Sequence, residues 1–331
     1  MRPTKPRYTL IIIVSAAVIF AGLDVFSQNN KNSSGLIRVG YTLKDLAAVD
    51  PTDARIAIEI WQRKLNDIIG KHDLVPENYS FEDMPSLINA LKTGKINAAT
   101  IPCVDYIRSR EKLPVVPILV PTREEDVLDT YILLVYRHSE FTDLSGLEGR
   151  NLIIEKGERG RIALLWLDTL LLKRGLPESK NFLRSVRMVD KVSQAVLPVF
   201  FRQADACIVT LDSWKTLCEL NPQLKKQLRI LEQSPGYLGA VFVIRKNLPL
   251  QNRERFVKTT LAAQAKPECK QILMLFRFNG LVKFKQSHLK TIEALVKENN
   301  ALKSKRDQKK NKANQDAKSK KESTRNDHSG G

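Results

Sequence analysis

The groups with the clearest chemical arrangement lie in FFRQADACIVTLDSW, from Phe200 to Trp214. A helix end leads into a small-residue strand, Ala206 to Val209, after which the hydroxyls of Thr210 and Ser213 stand on either side of the Asp212 carboxylate. An earlier segment, ALKTGKINAATIPCVDY from Ala90 to Tyr106, repeats that order, with a strand from Ala98 to Ile101 and polar groups after it. Open α/β sheets bind ligands at the carboxyl ends of their strands. Two such ends, one in each half of the chain, predict two lobes facing one cleft that holds a ligand. Sequence signatures for transforming that ligand are missing: there is no GxSxG, HExxH, GxxxxGK[ST] or Gly-rich dinucleotide turn. His72, His138, His288 and His328 are scattered, and His138, at a strand end, reads as a loop residue rather than a general base. With no CxxC among Cys103, Cys207, Cys218 and Cys269, zinc and dithiol chemistry lack support, and no cofactor or metal is expected. Four cysteines allow three full disulfide pairings, but Cys207 on a strand and Cys218 on a helix face read first as small buried hydrophobes.

The elements that would position these groups alternate. Leu36 to Tyr41 is a strand. A helix opened by the Asp50–Asp53 cluster follows, with a stripe of Ile56, Ile60, Leu65, Ile68 and Ile69. The segment from Tyr79 to Asp83 leads into a helix with Pro85 in its first turn and Gly94 just past its end, where each is favoured. Strands at Ile96 to Ile101 and Val115 to Val120 complete a β-α-β-α-β pattern, which implies a parallel sheet. Tyr131 to Arg137 opens a second run: a strand at Asn151 to Glu155, a loop KGERGR, and a helix IALLWLDTLLLKRG apolar on most sides and so buried between layers. Pro198 predicts a kink or early end in the helix from Lys191 to Arg202. Strands at Leu228 to Leu231 and Ala240 to Arg245 return the chain toward the first lobe, and helices Arg253 to Ala265, Pro267 to Phe278 and Ser287 to about Asn300 close it.

The termini account for half of the formal charge of +18. From Lys303 onward ten Lys or Arg face four acids, and Arg2, Lys5 and Arg7 add three more cations. The folded part is only moderately basic, which suits an anionic ligand or surface and argues against nucleic acid as partner. Residues 303–331 hold no apolar side chain larger than Ala and read as a disordered basic tail able to touch an anionic membrane surface. At the other end, three cations precede the uncharged run Tyr8 to Leu23. Residues 1–27 read as a signal peptide or signal anchor and 28–35 as a polar spacer, which predicts a periplasmic protein, cleaved or held at the inner membrane.

The order AVLPVFFRQADACIVT, then ELNPQLKKQLRILEQSP, then VFVIRKNLP, with the VGY and GKINAA strands and the LVKF segment, resembles the phosphate- and phosphonate-type substrate-binding proteins of ABC transporters. The resemblance runs from Leu36 to about Asn300. It implies a type II periplasmic-binding-protein fold, α/β and two-lobed, each lobe a mostly parallel sheet flanked by helices, with the ligand cleft at the hinge. The expected lobes are 36–125 plus 247–300, and 126–246. In that family hydroxyls and backbone N–H groups at helix N-termini hold an oxyanion, as the unpaired amides and positive dipole of a helix start explain. By position, the matching residues here are Tyr41 and Thr42, Tyr79 and Ser80, Cys103 and Tyr106, Lys156, Gly157, Arg159 and Gly160, and Thr210, Asp212 and Ser213. One loop departs: where family members carry Ser, Thr and Gly, this chain has KGERGR, so cations replace the hydroxyl cradle.

The resemblance implies capture of phosphate, phosphite or a phosphonate for an ABC permease in the inner membrane, with no catalysis. Two alternatives stand beside it: the same module as a membrane-tethered sensor or scaffold, or a small-molecule enzyme on this fold. Plainer roles also stand for single residues. Asp212 or Ser213 would N-cap a helix, Asp205 would pair locally, Tyr41 and Tyr106 would be lobe-edge aromatics, and the GERG segment would be a surface turn.

Overall fold

The computed structural model describes residues 37–42, 51–69, 76–123, 126–276 and 278–326. The apolar run Tyr8 to Leu23 and the spacer lie outside them. Among the described residues no helix is long and apolar enough to cross a membrane.

The elements run β1 (Ile37–Thr42), α1 (Pro51–Ile69), β2 (Pro76–Phe81), α2 (Met84–Thr93), β3 (Ala98–Pro102), α3 (Cys103–Ser109), β4 (Val115–Thr122), β5 (Asp129–Tyr136), β6 (Asn151–Glu155), α4 (Gly157–Lys173), α5 (Ser179–Phe182), β7 (Ser185–Val189), α6 (Val192–Phe200), β8 (Ala206–Thr210), α7 (Leu211–Leu220), α8 (Gln223–Gln227), β9 (Leu228–Tyr237), β10 (Ala240–Arg245), α9 (Leu250–Ala263), α10 (Pro267–Leu275), β11 (Gly280–Lys283) and α11 (Lys290–Asn326). They form two sheets, ordered β11-β4-β10-β3-β1-β2 and β7-β6-β8-β5-β9. In the first, β1 pairs in parallel with β2 and β3, and β10 runs antiparallel between β3 and β4. In the second, β6 pairs in parallel with β7 and β8, while β5 runs antiparallel to β8 and β9. Most strands of each sheet therefore point one way, and the reversed ones include β5 and β10, which begin just after the chain has crossed from one sheet to the other.

It crosses twice, between Thr122 and Asp129 and again at Leu238 and Gly239. At the first crossing Arg123 and Asp126 form an antiparallel bridge; at the second the Gly239 carbonyl accepts a hydrogen bond from the Cys103 amide at 2.8 Å. The strand Ala240–Arg245, assigned by sequence to the second lobe (126–246), pairs into the first sheet instead. Its alternation of apolar residues fits either sheet; the short turn at Leu238 and Gly239 decides the matter.

Each sheet is buried on both faces. Along β5, Tyr131, Leu133 and Val135 enter one core while Ile132 and Leu134 enter another, the period-two alternation of a strand. In the first lobe a third core of Ile37, Leu65, Ala98, Ile244, Phe256 and Cys269 lies where α1, α9 and α10 cover the sheet. The buried stripe of α1 is Ala54, Ala57 and Leu65 with Trp61 partly covered, while Ile56 is 46% exposed. Leu65 belongs to the expected stripe and Ile56 alone is seen to leave it, the side chains of Ile68 and Ile69 lying outside those described; Ala54 and Ala57 went unnoticed because alanines weigh little in an apolar pattern. All four cysteines are free thiols, three of them buried.

Two expectations about irregular segments fail. KGERGR is the N-cap and first turn of α4 rather than a loop: Lys156 caps in extended conformation, and Gly157 begins the helix with φ at 78°. Residues 303–326, expected to be disordered, continue α11. Lys, Arg, Gln, Glu and Ala are good helix formers, and extending a helix that is already nucleated avoids the cost of starting one. Pro198 behaves as expected, α6 ending two residues later with Arg202 at φ 59°.

Helix α11 touches both lobes. Ile292, Leu295 and Val296 are buried, as is Leu289 just before the helix, and α3 and α4 lie against it. Glu293 pairs with Arg110 of the first lobe; Glu298 pairs with Lys173 of the second at 2.9 Å, and Lys303 with Glu178 at 2.7 Å.

Candidate functional site

Four charged side chains meet where the lobes face each other. Arg123 follows β4 at the first crossing, Asp129 opens β5, Glu155 ends β6, and Arg159 lies in the first turn of α4. Asp129 is 3% exposed and holds both arginines: one carboxylate oxygen pairs with Arg123 and the other with Arg159 at 3.3 Å. Glu155 lies 4.0 Å from the second Arg159 nitrogen. Gly160 sets this spacing, because a Cβ there would come within 2.0 Å of the Glu155 carbonyl oxygen. Only glycine lets the first turn of α4 press that closely on β6.

The network leaves donors over. Nε of Arg123, Nε of Arg159 and the hydroxyl of Tyr131 are buried and have no hydrogen-bond partner among the described residues. Burial pushes the Tyr131 hydroxyl well above its usual range, and the charge of Asp129 adds to this. It therefore keeps its proton and offers it. Burial holds Arg123 below its ordinary value despite Asp129. Burial opposes the charge of Arg159 as well, but Asp129 and Glu155 raise it overall. A second tier surrounds these groups: Lys156 pairs with Asp190 at 3.2 Å, and Arg161 pairs with Glu158 at 3.1 Å and with Asp105 of the facing lobe.

A cavity of about 300 Å³ opens from this cluster. Tyr41, Thr42, Lys156, Gly157 and Arg159 border it, and Gly160 and Thr210 border a small void behind it beside Tyr131. The other sequence-chosen residues lie elsewhere. Tyr79 and Ser80 are in strand β2, not in a loop; the Tyr79 hydroxyl donates to Glu77 at 2.8 Å, and Ser80 is exposed. Cys103 begins α3 fully buried with its amide bound to Gly239, burial raises its thiol well above the usual range, and Tyr106 is in the core. Thr210 is the N-cap of α7, and its hydroxyl donates to Ser213 at 2.8 Å, while Asp212 pairs with Lys215 at 3.4 Å. The plain local role expected for Asp205 is seen: its carboxylate accepts from the Asn151 amide at 2.8 Å.

Sequence reasoning missed Arg123, Asp129, Glu155 and Tyr131. The available signal was a cluster of charges between two strands, PTREEDVLDTY, at the point where one lobe gives way to the next. It also missed the apolar wall of the cavity, where Trp61, Phe242, Phe256, Phe276 and Phe278 read as ordinary core.

Residues 57–289 match the family described as ABC transporter, phosphonate, periplasmic substrate-binding protein. A search of curated protein sequences finds no match. Among solved structures, a Xanthomonas citri protein bound to chloride ion has 15% identity and a TM-score of 0.59, covering 82% of this chain and 99% of that one. A binding-protein component of an ABC phosphonate transporter from Pseudomonas aeruginosa has 13% identity and a TM-score of 0.55, over 81% and 87% of the two chains. PhnD1 from Prochlorococcus marinus, in complex with methylphosphonate, has 15% identity and a TM-score of 0.55, over 81% and 99%. At such identities the likeness is one of fold, the two-lobed type II periplasmic binding fold.

Proposed function

We propose, because this chain belongs to the phosphonate-type periplasmic substrate-binding proteins of ABC transporters, that the solute it takes is a small oxyanion of the phosphate, phosphite or phosphonate class, held between the lobes by Arg123, Arg159 and Tyr131. The family is a solute-binding component of transport, not a group of enzymes; it works outside the cytoplasm and delivers to an ABC permease. One observation carries the choice of solute: arginines from both sides of the hinge converge on a single carboxylate, and each keeps a buried Nε–H without a partner among the described residues. Charge-assisted donors fixed in a desolvated cleft bind phosphoryl oxygens strongly, and an anion bridging both lobes would favour the closed state. Of the residues chosen by position, Tyr41, Thr42, Lys156 and Gly157 border the same cavity and complete the site in this reading. Titration calorimetry with phosphate, phosphite and methylphosphonate is the test. At least one should bind with a dissociation constant below about 10 µM, and absence of binding by all three would end the reading.

The membrane contacts belong to the same proposal. The N-terminal apolar segment would hold the protein at the inner membrane, and the basic end of α11, helical to Asn326, would lie on anionic phospholipid rather than on nucleic acid. Co-sedimentation with anionic vesicles, lost on truncation after Asn300, tests the second contact.

A further inference from the structure

We propose that the solute is amphiphilic: an oxyanion head at the arginines joined to an apolar body, such as an alkyl or aryl phosphonate, that fills the cavity running into the first lobe. This rests on the oxyanion reading above and narrows it. The cavity has one polar end, at Arg123, Asp129, Tyr131 and Arg159. From there it runs between the first sheet and helices α1, α9 and α10, with Leu119 and Phe242 on the sheet side and Trp61, Phe256 and Leu273 on the helix side. At about 300 Å³ it equals the liquid share of roughly ten waters, far more than a bare tetrahedral oxyanion occupies. Water is a poor tenant along most of its length, because an ordered water needs two or more polar partners and the lining there is mainly aliphatic and aromatic, with Gln62, Asn78, Thr100 and Thr260 as its scattered polar side chains.

The buried, unpaired Tyr131 hydroxyl supplies an independent observation at the polar end. It is 1% exposed, borders the cavity, and has a donor that no group among the described residues uses. A ligand that ends in an anion and continues as hydrocarbon meets both conditions at once, which neither phosphate nor a plain hydrocarbon does. The departure at Lys156 to Arg161 fits the same class. Cations replace the hydroxyl cradle in that turn, so Arg159 holds the head from there, and the apolar part of the cavity in the first lobe is left for a substituent.

The test is a chain-length series of phosphonates, methyl through octyl, kept below micelle-forming concentrations and followed by calorimetry and by the emission of Trp61 at the cavity wall. Each buried methylene should tighten binding about fourfold, so octylphosphonate should bind at least thirtyfold tighter than methylphosphonate. Ala240 borders the cavity and lies two residues before Phe242 on β10, hence on the same face. Ala240→Leu should abolish the chain-length advantage, so that octylphosphonate binds no tighter than methylphosphonate. Equal affinity for methyl- and octylphosphonate would overturn the apolar body while leaving the oxyanion reading intact. Octanol binding as tightly as octylphosphonate would overturn the anionic head, and binding by neither phosphonate would overturn both readings.

Discussion

Replacing Asp129 by Asn should turn a cleft whose arginines are held by an internal carboxylate into one that depends on an external anion. The side chain keeps its shape and loses the charge that holds Arg123 and Arg159. A pair of unit charges 3.3 Å apart attracts by roughly 5 kcal/mol at an effective dielectric near 20. Part of that is offset by desolvation already incurred, and removing one partner of a buried pair typically costs about 3 kcal/mol or more. At about 2 °C per kcal/mol for a fold of this size, the melting temperature should drop by about 6 °C. The two arginines then face the cavity without a competing carboxylate, so methylphosphonate should bind at least tenfold tighter than to wild type. At one hundred times its dissociation constant it should restore about 2.7 kcal/mol, or roughly 5 °C. Differential scanning calorimetry of both proteins, with and without methylphosphonate, reads all three numbers. An unchanged melting temperature would show that the buried ion pair holds nothing together. A lowered one that neither phosphate nor methylphosphonate restores would remove the arginines from any anion site.

Four further outcomes follow from the same geometry. Arg159→Ala should weaken oxyanion binding more than tenfold, about 1.4 kcal/mol, in calorimetry, while Arg159→Lys, which keeps the charge but not the fork, should recover part of it. Gly160→Ala would force its Cβ against the Glu155 carbonyl, 2.0 Å away if nothing moved, and should cost about 3 kcal/mol and weaken anion binding as α4 backs away from β6; denaturant titration measures the first. Truncation after Asn300 should lower helical signal in far-UV circular dichroism by the contribution of residues 301–326 with little change in melting temperature, since the lost cations Lys303 and Arg306 are 41% and 38% exposed and such screened pairs contribute little. The Glu178 carboxyl is held below its ordinary 4.5, first by the hydrogen bond from Lys303. A depressed folded value contributes stability in full above 4.5 and loses it as pH falls through that lower value. Hydrogen-exchange protection along α11, taken relative to the intrinsic rate at each pH, should therefore fall through that acid range in wild type and be level there in Glu178→Gln.

The strand ends were legible because small buried residues followed by polar ones leave few other readings: Ala206 to Thr210 and Ala98 to Pro102 are strands that lead straight into helices α7 and α3. Pro85 and Gly94 bounded α2 for reasons local to the chain. The centre of the site was not legible, because Arg123, Asp129 and Arg159 meet only once the chain has crossed between sheets, and sequence spacing carries no trace of that distance. Gly157 and Gly160 misled in a physical way. Low helix propensity suggested a loop, whereas one glycine takes a positive φ at the helix start and the other permits contact with β6. The helix expected beside Thr210, Asp212 and Ser213 is there, but its N-cap is Thr210 rather than Asp212 or Ser213, and their hydroxyls and carboxylate are engaged with one another and with Lys215. Aromatic residues such as Phe242 and Phe256 could not announce a cavity, since the pattern that lines a void is the pattern that fills a core.

Helix α11 gives the two-lobed architecture a mechanical gain. Its 37 residues span about 55 Å at 1.5 Å per residue. It grips the second lobe at Glu298, Lys303 and Arg306 but the first mainly near its own start, at Glu293. The far end must then travel with the second lobe. A hinge rotation of about 15°, the scale of rigid-body transitions between domains, sweeps that end through roughly 14 Å relative to the first lobe. Closure by a few ångströms in the cleft would then be read at the basic tip as a displacement several times larger.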